Sequence, residues 1–384
     1  MNGSSRQFSR RMQLVYAGQF LAIGTYMPFM PLWLSERGLS AVQIGLVLTV
    51  PMLARTFLAP VIAYAADRCG ERIRALAALS ILSALATGTL FLGSGFAAIL
   101  AAFAGLALFW CALMPLAEAA AMHGARSRGL DYGRMRLWGS ASFIAANLGA
   151  GVLVDQVSAD AAVGLIAVSF MLTGWFAFGL PQPRGKAGAI AGPFSGADLA
   201  LLLRPAFLAA IAIASLLNAS HMLIYGFGTL HWQGLGHSSL LIGCLWATGV
   251  IAEIALFAFS SKVVARTGAW ALLMVAALAA TLRWVAMAFD PPLEMLFALQ
   301  VLHGLTFGAT HLGIVNLVAD AVPSELGGTA QSLMYSVSSL VGALSTLAAG
   351  ALYGAYGAGA FWAMAAIALG ALVLVLAPLG RRAR

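Results

Sequence analysis

Four charged residues lie inside or at the edge of long apolar segments of this chain: Arg55, Glu118, Glu253 and Arg283. Placing an ionised side chain at the centre of a lipid bilayer costs at least about 2.5–3.5 kcal/mol. Charged residues that persist at such depth usually line a path for ions or polar solutes. These four residues are therefore predicted to handle a polar or charged species.

Glu253 is a residue type that can take up and release a proton, and Arg283 would supply a neighbouring cation. A buried carboxylate binds a proton more readily than one in water, and an adjacent guanidinium opposes that binding. A carboxylate that exchanges a proton for a neighbouring cation would couple proton movement to another event. The alternative is a permanent Glu253–Arg283 salt bridge that only stabilises the fold.

The other embedded charges allow two interpretations each. A guanidinium at the depth of Arg55 needs a carboxylate, a carbonyl group or a ligand. Arg55 is therefore either an anion-binding group or a structural partner of Glu118 or of another residue. Glu118 and Arg136 could form a charge-assisted pair between consecutive helices, acting as a gate or ligand clamp, or as a structural bridge.

The composition indicates that lipid surrounds most of the chain. Of its 384 residues, 61% are hydrophobic and only 9% are charged, and the mean hydropathy is +0.93. Soluble domains carry about 25% charged residues, so no soluble core could hide this much apolar surface. The net charge of +8 is expected from Lys and Arg in cytoplasmic loops, and no nucleic acid partner is predicted.

Apolar runs long enough to cross a bilayer, about 20 residues, occur twelve times. The predicted spans are 12–34, 41–66, 75–93, 96–122, 134–154, 161–180, 205–230, 238–260, 269–288, 293–318, 328–353 and 358–378. The longest connection, 181–204, divides them into an N-terminal bundle (1–183), a cytoplasmic linker loop (184–204) and a C-terminal bundle (205–384). We therefore predict an all-α integral membrane protein with twelve transmembrane helices in two pseudo-symmetric six-helix bundles around a central site.

The distribution of basic residues predicts the orientation. If both termini are cytoplasmic, eighteen of the 21 Lys and Arg residues lie in cytoplasmic segments, counted up to residue 136 at the start of the fifth span. One lies in an external loop, and Arg55 and Arg283 lie within spans. This bias favours cytoplasmic termini in a bacterial inner membrane. No cleavable signal peptide is predicted, because the first apolar run is long enough to span. The three cysteines are far apart, so neither a disulfide framework nor a metal site is expected. No cofactor is expected.

Polar residues recur at helical spacing on spans of both halves, as the wall of a water-filled cavity would require. The alternative is hydrogen bonding between helices, worth about 0.6 kcal/mol per contact on average; this explains Ser and Thr positions better than charges. The predicted substrate-binding residues are Gln19, Tyr26, Arg55, Arg136, Phe143, Asn147, Asn218, His221, Tyr225, Thr306, His311, Gln331 and Tyr335.

The loop after the second span resembles the signature of the major facilitator superfamily. That signature reads Gly-x-x-x-Asp-Arg-x-Gly-basic-basic, and the matching residues here are Asp67, Arg68, Gly70 and Arg72. Ala63 and Glu71 depart from it. An Asp and an Arg at this end of the span can pair and hold the two halves closed. The resemblance thus implies a gating role, and a positive-inside anchor is the other interpretation.

Within that superfamily the whole chain is similar to the branch of lactose permease and the 3-phenylpropionate transporters. That branch pairs a carboxylate on helix 4 with an arginine on helix 5, and carries a glutamate, an arginine and a histidine on helices 8, 9 and 10. The corresponding residues are Glu118, Arg136, Glu253, Arg283 and His303. The resemblance implies proton-coupling roles for Glu253, Arg283, His303 and Glu118.

Three positions depart from lactose permease. Its further glutamate, one helical turn after the histidine, is Thr306 here. Its lysine one turn before the histidine is Gln300, and its sugar-stacking tryptophan is Phe143. A galactoside is therefore not the expected substrate, and Glu253 is the better-placed proton carrier.

The sequence predicts a monomeric secondary transporter, not an enzyme. It would couple protons to the import of a small organic solute by alternating access. Because embedded basic groups outnumber carboxylates, the expected solute is an anion, and the resemblance suggests an aromatic carboxylate such as 3-phenylpropionate. Sugar or nucleoside symport and proton-driven drug efflux are alternatives. An intramembrane enzyme is disfavoured because no HExxH, GxSxG or P-loop pattern occurs, and the short termini disfavour a sensor or scaffold.

Overall fold

The computed structural model describes residues 3–181, 200–322 and 326–377. These residues form helices and connecting turns, with no β-strand among them. The first helices are α1 (Gly3–Glu36), α2 (Ala41–Phe57), α3 (Ala59–Arg68), α4 (Arg72–Thr89), α5 (Phe96–Trp110), α6 (Leu113–Arg128), α7 (Tyr132–Gln156) and α8 (Ala159–Phe178). After residue 204 follow α9 (Pro205–Ala219), α10 (Met222–Gly234), α11 (Ser239–Ala258), α12 (Ser260–Thr267), α13 (Ala269–Met287), α14 (Leu293–Val301), α15 (Thr310–Ala321), α16 (Gly327–Tyr356) and α17 (Phe361–Leu376).

Every predicted span coincides with one helix or with consecutive helical segments, which confirms the all-helical transmembrane fold. Among the described residues, nine helical stretches are long and apolar enough to cross a membrane, and the last, Thr329–Leu376, contains two predicted spans. The first and third predicted spans correspond to α1 and α4. The connection predicted at 261–268 is an additional short helix, α12, which ends at Gly268 with a φ of 73°.

Four of the predicted spans are interrupted, which the apolar pattern did not show. Pro60 stands at the start of α3, and its ring and missing N–H disfavour continuation of α2. Breaks also separate α5 from α6 and α9 from α10. The tenth span contains a π-helical segment, Gly304–Ala309, between α14 and α15. Such segments are frequent at functional sites, and this one follows His303 directly.

The described residues belong to two compact units. The first comprises Met1–Ala189 together with Gly228–Ala247, and the second comprises Ile190–Phe227 together with Thr248–Arg384. The six-plus-six division of the sequence remains a prediction, and residues 182–199 of its linker region lie outside the described residues.

In the first unit, α1 packs against α7 and α8. Small residues allow close approach of helices in a membrane. A Cβ atom on Gly24 would lie 2.8 Å from the carbonyl oxygen of Phe143, and one on Gly18 would lie 3.2 Å from that of Ser169. At one end of α1, the Asp160 carboxylate accepts a hydrogen bond from the indole of Trp33 at 2.6 Å.

The first unit also contains the start of α11, which the end of α7 caps. The Asp155 carboxylate accepts hydrogen bonds from the backbone N–H groups of Ser239 and Leu240, both at 2.8 Å. These N–H groups have no partner within their own helix, and a carboxylate suits the positive end of the helix dipole. Nearby, a Cβ atom on Gly151 would lie 2.6 Å from the Ser239 carbonyl oxygen. The two backbones therefore touch here.

In the second unit, α13 packs against α17, and α9 packs against α16. Trp284 is fully buried. Its ring stacks on Phe361 with centroids 5.9 Å apart, and its indole N–H donates to the Ser220 hydroxyl at 3.1 Å. These contacts fix the face of α13 from which the neighbouring Arg283 projects.

Candidate functional site

The second unit is built around Arg283, which is 1% exposed. Its guanidinium donates hydrogen bonds to the Thr306 hydroxyl at 3.1 Å, to Nδ1 of His303 at 3.3 Å and to the Gln300 side-chain oxygen. The Arg283 Nε group has no hydrogen-bond partner among the described residues. Because a guanidinium only donates, each of these three neighbours must act as an acceptor.

This requirement fixes the tautomer of His303. If Nδ1 accepts from Arg283, a neutral ring carries its proton on Nε2. That nitrogen lies 3.9 Å from a carboxylate oxygen of Glu253. His303 thus stands between the two charged residues, which the sequence placed directly side by side. The π-helical segment and Gly249 support this position, because a Cβ atom on Gly249 would lie 3.2 Å from that of His303.

A second chain of hydrogen bonds leads from Arg283 to His221. Nδ1 of His221 lies 2.8 Å from the Leu217 carbonyl oxygen, and Nε2 lies 3.0 Å from the Thr306 hydroxyl. A carbonyl only accepts, so Nδ1 carries the proton and Nε2 of the neutral ring accepts from Thr306. Donation therefore runs from Arg283 through Thr306 and His221 to the backbone.

The Thr306 hydroxyl is the shared atom of this cluster, and Thr306→Val tests it. Valine keeps the shape but leaves Arg283 without one acceptor and His221 without its donor. We expect the free energy of unfolding to fall by about 1–3 kcal/mol, because a buried charged donor loses a partner. Thr310→Val is the matched control, because that hydroxyl donates to the carbonyl oxygen of residue 306 in its own helical segment. Equal thermal unfolding midpoints for both variants in detergent would contradict this role of Thr306.

In the first unit, Glu118 forms the pair with Arg136 that the sequence predicted, at 3.2 Å. Its carboxylate also accepts hydrogen bonds from the hydroxyl groups of Tyr16, at 3.0 Å, and Tyr132. The Arg136 guanidinium lies over the Phe20 ring, 4.1 Å from its centroid. The Glu118 carboxylate thus bonds to residues of α1 and α7 and does not pair with Arg55. The role of Tyr132 was missed, since it precedes the apolar run.

Arg55 differs from the other two embedded arginines. It is exposed, and within the described part of the chain its guanidinium forms neither a hydrogen bond nor a salt bridge. Its electrostatic neighbours are the Tyr26 hydroxyl and the Cys111 thiol. The Tyr26 ring contacts Trp110 edge-to-face, with centroids 4.7 Å apart. Trp110 was not predicted, because a tryptophan in an apolar run is ordinarily a packing residue.

Other predicted substrate-binding residues fall into two groups. Gln19 and Asn147 are buried and bond to backbone carbonyls, at 3.2 Å to Leu113 and at 2.7 Å to Phe143. The Gln19 bond links α1 to α6 and supports the interpretation that this side chain holds helices together, whereas the Asn147 bond lies within α7. The remaining residues have more accessible side chains or pack against the histidines: Asn218, Tyr225, His311, Gln331 and Tyr335. Tyr225 lies with its ring centroid 5.7 Å from that of His221 and 6.4 Å from that of His303.

In the signature loop between α3 and α4, the arginine that pairs with Asp67 is Arg72. The Asp67 carboxylate bonds to Arg72, with the nearest nitrogen at 2.6 Å, and not to the adjacent Arg68. Arg68 instead approaches the Tyr64 hydroxyl at 3.4 Å. Gly70, with a φ of 68°, provides the left-handed turn that lets Asp67 reach across to the start of α4.

Two kinds of comparison relate the chain to known proteins. A model of the "MFS_1 like family" matches residues 9–364. The "Probable 3-phenylpropionic acid transporter" of Escherichia coli (strain K12) is 33% identical over 373 residues, which cover 96% of this chain and 97% of that protein. The "Maltose permease" of Geobacillus stearothermophilus is 28% identical over 380 residues, or 97% of this chain and 94% of that protein.

Solved structures show the same fold. A mutant of the nucleoside transporter NupG superposes with a TM-score of 0.87 at 15% identity, covering 96% of this chain and 99% of the other. A bacterial homologue of the human lysosomal transporter Spinster, in an inward-facing and occupied conformation, gives a TM-score of 0.79 at 16% identity, covering 98% and 96%. At these identities the likeness establishes the fold and not the solute.

Proposed function

This chain belongs to the MFS_1 like family of the major facilitator superfamily, and from that premise we propose that it is a proton-coupled symporter of a small aromatic carboxylate. The relatives of this multi-pass membrane protein are transporters, so a small-molecule substrate is expected. We further propose cytoplasmic termini in a bacterial inner membrane, a monomeric carrier, and alternating access.

The observation that carries proton coupling is the position of His303. One ring nitrogen meets a fixed cation, Arg283, and the other faces the Glu253 carboxylate. A proton arriving on Glu253 removes the negative charge that the His303 N–H group faces, so the local balance of charge depends on protonation. A site of this kind can hold one arrangement when Glu253 is protonated and another when it is ionised.

The proposal of an anionic substrate rests on the embedded charges of the chain and on its sequence similarity to a known transporter. Embedded arginines outnumber the embedded carboxylates, and the second unit devotes Arg283 to neutral acceptors, namely Gln300, Thr306 and His303. The 33% identical relative is described as a "Probable 3-phenylpropionic acid transporter". Together these facts favour an aromatic carboxylate for this chain.

Sugar symport is the second candidate, favoured by the 28% identity to a maltose permease over nearly the whole chain. Sugars commonly stack on aromatic faces while polar side chains hydrogen-bond to their hydroxyl groups. The Tyr26–Trp110 pair could provide the aromatic face. A nucleoside would use similar groups. An intramembrane enzyme gains no support, since the matched family and relatives are transporters.

The test is solute-induced proton movement in proteoliposomes containing a trapped pH dye. We expect 3-phenylpropionate to acidify the lumen with saturable kinetics, and maltose and uridine to give no response. An aromatic acid also crosses lipid in its neutral form, so protein-free liposomes must be measured in parallel at pH 8, where that form is scarce. A response to maltose or uridine alone would replace the anion by a sugar or nucleoside. Radiolabelled uptake without proton movement would refute proton coupling.

A further inference from the structure

We propose that Arg55, Tyr26 and Trp110 form the pocket that recognises the substrate, with Arg55 binding the carboxylate and the two rings enclosing the aromatic group. This assignment rests on the proposed function and specifies where in the first unit the solute is held. It also separates recognition from the His303 cluster, which the second unit contains.

Elimination among the embedded cations leads to Arg55. The Arg136 guanidinium is paired with Glu118 at 3.2 Å and covered by Phe20. Arg283 is buried and already donates to three side chains. Arg55 has no such acceptor within the described residues and is exposed within the fold. A free guanidinium is suited to a bidentate bond with a carboxylate.

The aromatic part of the pocket is held in place by buried residues. Tyr26 lies against Phe103, with centroids 6.2 Å apart, and Trp110 lies against Phe170 at 5.7 Å. Phe103 and Phe170 are both fully buried. Tyr26 and Trp110 are themselves only partly buried, so part of each side chain remains accessible. The Trp110–Phe170 contact is edge-to-face, a geometry that stabilises aromatic pairs beyond simple burial.

The pocket also has unused hydrogen-bonding capacity. Among the described residues, neither the Tyr26 hydroxyl nor the Trp110 indole N–H forms a hydrogen bond. Neither polar atom is fully buried, so both can be reached by a ligand. Trp110 is the last residue of α5, and the helix break at Cys111–Ala112 follows it. Cys111, in this break, and Tyr26 are electrostatic neighbours of Arg55.

The chemistry predicts a specific preference. An aryl carboxylate satisfies the guanidinium with its charge and the two rings with its aromatic group. The neutral amide of the same acid keeps the ring but loses the charge, and propionate keeps the charge but loses the ring. The purified protein should therefore bind 3-phenylpropionate more tightly than either analogue.

The experiment measures dissociation constants of 3-phenylpropionate, 3-phenylpropionamide and propionate by calorimetry on the full chain in detergent. We expect Arg55→Gln to weaken acid binding by about 10–100-fold, because charge-assisted hydrogen bonds are lost, and to leave amide binding unchanged. Arg55→Lys should keep the preference for acid over amide at reduced affinity. Arg37→Gln is the matched control, since Arg37 pairs with Asp160 at one end of α1, and its acid-to-amide ratio should equal that of the wild type.

Trp110→Leu keeps the test valid if Arg55→Gln does not fold. We expect it to weaken acid and amide by the same factor, about tenfold, and to leave propionate unaffected. Two results would each overturn the pocket: an acid-to-amide ratio in Arg55→Gln equal to that of the wild type, or acid binding in Trp110→Leu equal to that of the wild type. In both cases the wild type still binds 3-phenylpropionate, so the proposed function stands. Absence of 3-phenylpropionate binding by the wild type overturns both.

Discussion

Glu253→Gln is expected to abolish proton-driven accumulation of substrate while preserving its exchange across the membrane. Glutamine matches glutamate in shape but cannot bind or release a proton at this position. Exchange of internal for external solute needs no net proton movement, so it should continue within a few-fold of the wild-type rate. A gradient of one pH unit supports about tenfold accumulation per coupled proton. In the variant the ratio of internal to external substrate should fall to about one.

The measurement uses radiolabelled 3-phenylpropionate in proteoliposomes, with an imposed pH gradient for accumulation and equal pH for exchange. Glu294→Gln is the matched control, because it makes the same chemical change on an exposed residue in the first turn of α14. Accumulation by Glu253→Gln at the wild-type level would exclude Glu253 as the proton carrier. Loss of both accumulation and exchange would instead indicate a purely structural carboxylate.

The helical architecture could be predicted because the bilayer imposes it. A span needs about 20 apolar residues whatever its neighbours are, so the pattern of apolar runs was sufficient to predict all twelve. Hydropathy alone did not reveal the break after Trp110 or the π-helical segment at Gly304–Ala309. Pro115 stands four residues after Cys111, where its ring and missing N–H oppose a continuous helix, and this signal was missed. Packing contributes at Gly304, where a Cβ atom would lie 2.8 Å from the Ala252 carbonyl oxygen.

The residue types of the candidate site could be predicted, but their partners could not. The Glu118–Arg136 pair follows from two charges on consecutive helices. For Arg283 the sequence indicated Glu253, whereas the structure places His303 between the two. The availability of Arg55 depends equally on tertiary contacts, because a sequence cannot reveal which embedded cation finds a carboxylate. Asp155 was missed, because a carboxylate at the end of a span is normally a solvated residue.

Gly151→Ala and Gly243→Ala are expected to separate α7 from α11, the second large effect. A Cβ atom on Gly151 would lie 2.6 Å from the Ser239 carbonyl oxygen. A Cβ atom on Gly243 would collide with the Asn147 carbonyl oxygen. Both obstacles are backbone atoms, so no side-chain rotation can relieve them. The helices must part, and the bonds from Ser239 and Leu240 to Asp155 must lengthen. Overpacking of about 1–3 kcal/mol would shift the balance between closed and parted arrangements about 5–150-fold.

A cysteine at position 239 reports the separation, because Ser239 is only 3% exposed. In a background in which Cys69, Cys111 and Cys244 are replaced by serine, Ser239→Cys should react slowly with a membrane-impermeant maleimide. Adding Gly151→Ala should raise the labelling rate at least about tenfold. Gly149→Ala is the control on the same helix, since a Cβ atom there meets nothing within 4 Å. Equal labelling rates for the two alanine variants would show that close contact at Gly151 does not hold this end of α7 against α11. A faster labelling rate with Gly151→Ala, together with altered exchange of substrate, would show that separating α7 from α11 and opening the carrier are the same event. The contact of Asp155 with the start of α11 would then be one that breaks and re-forms during transport.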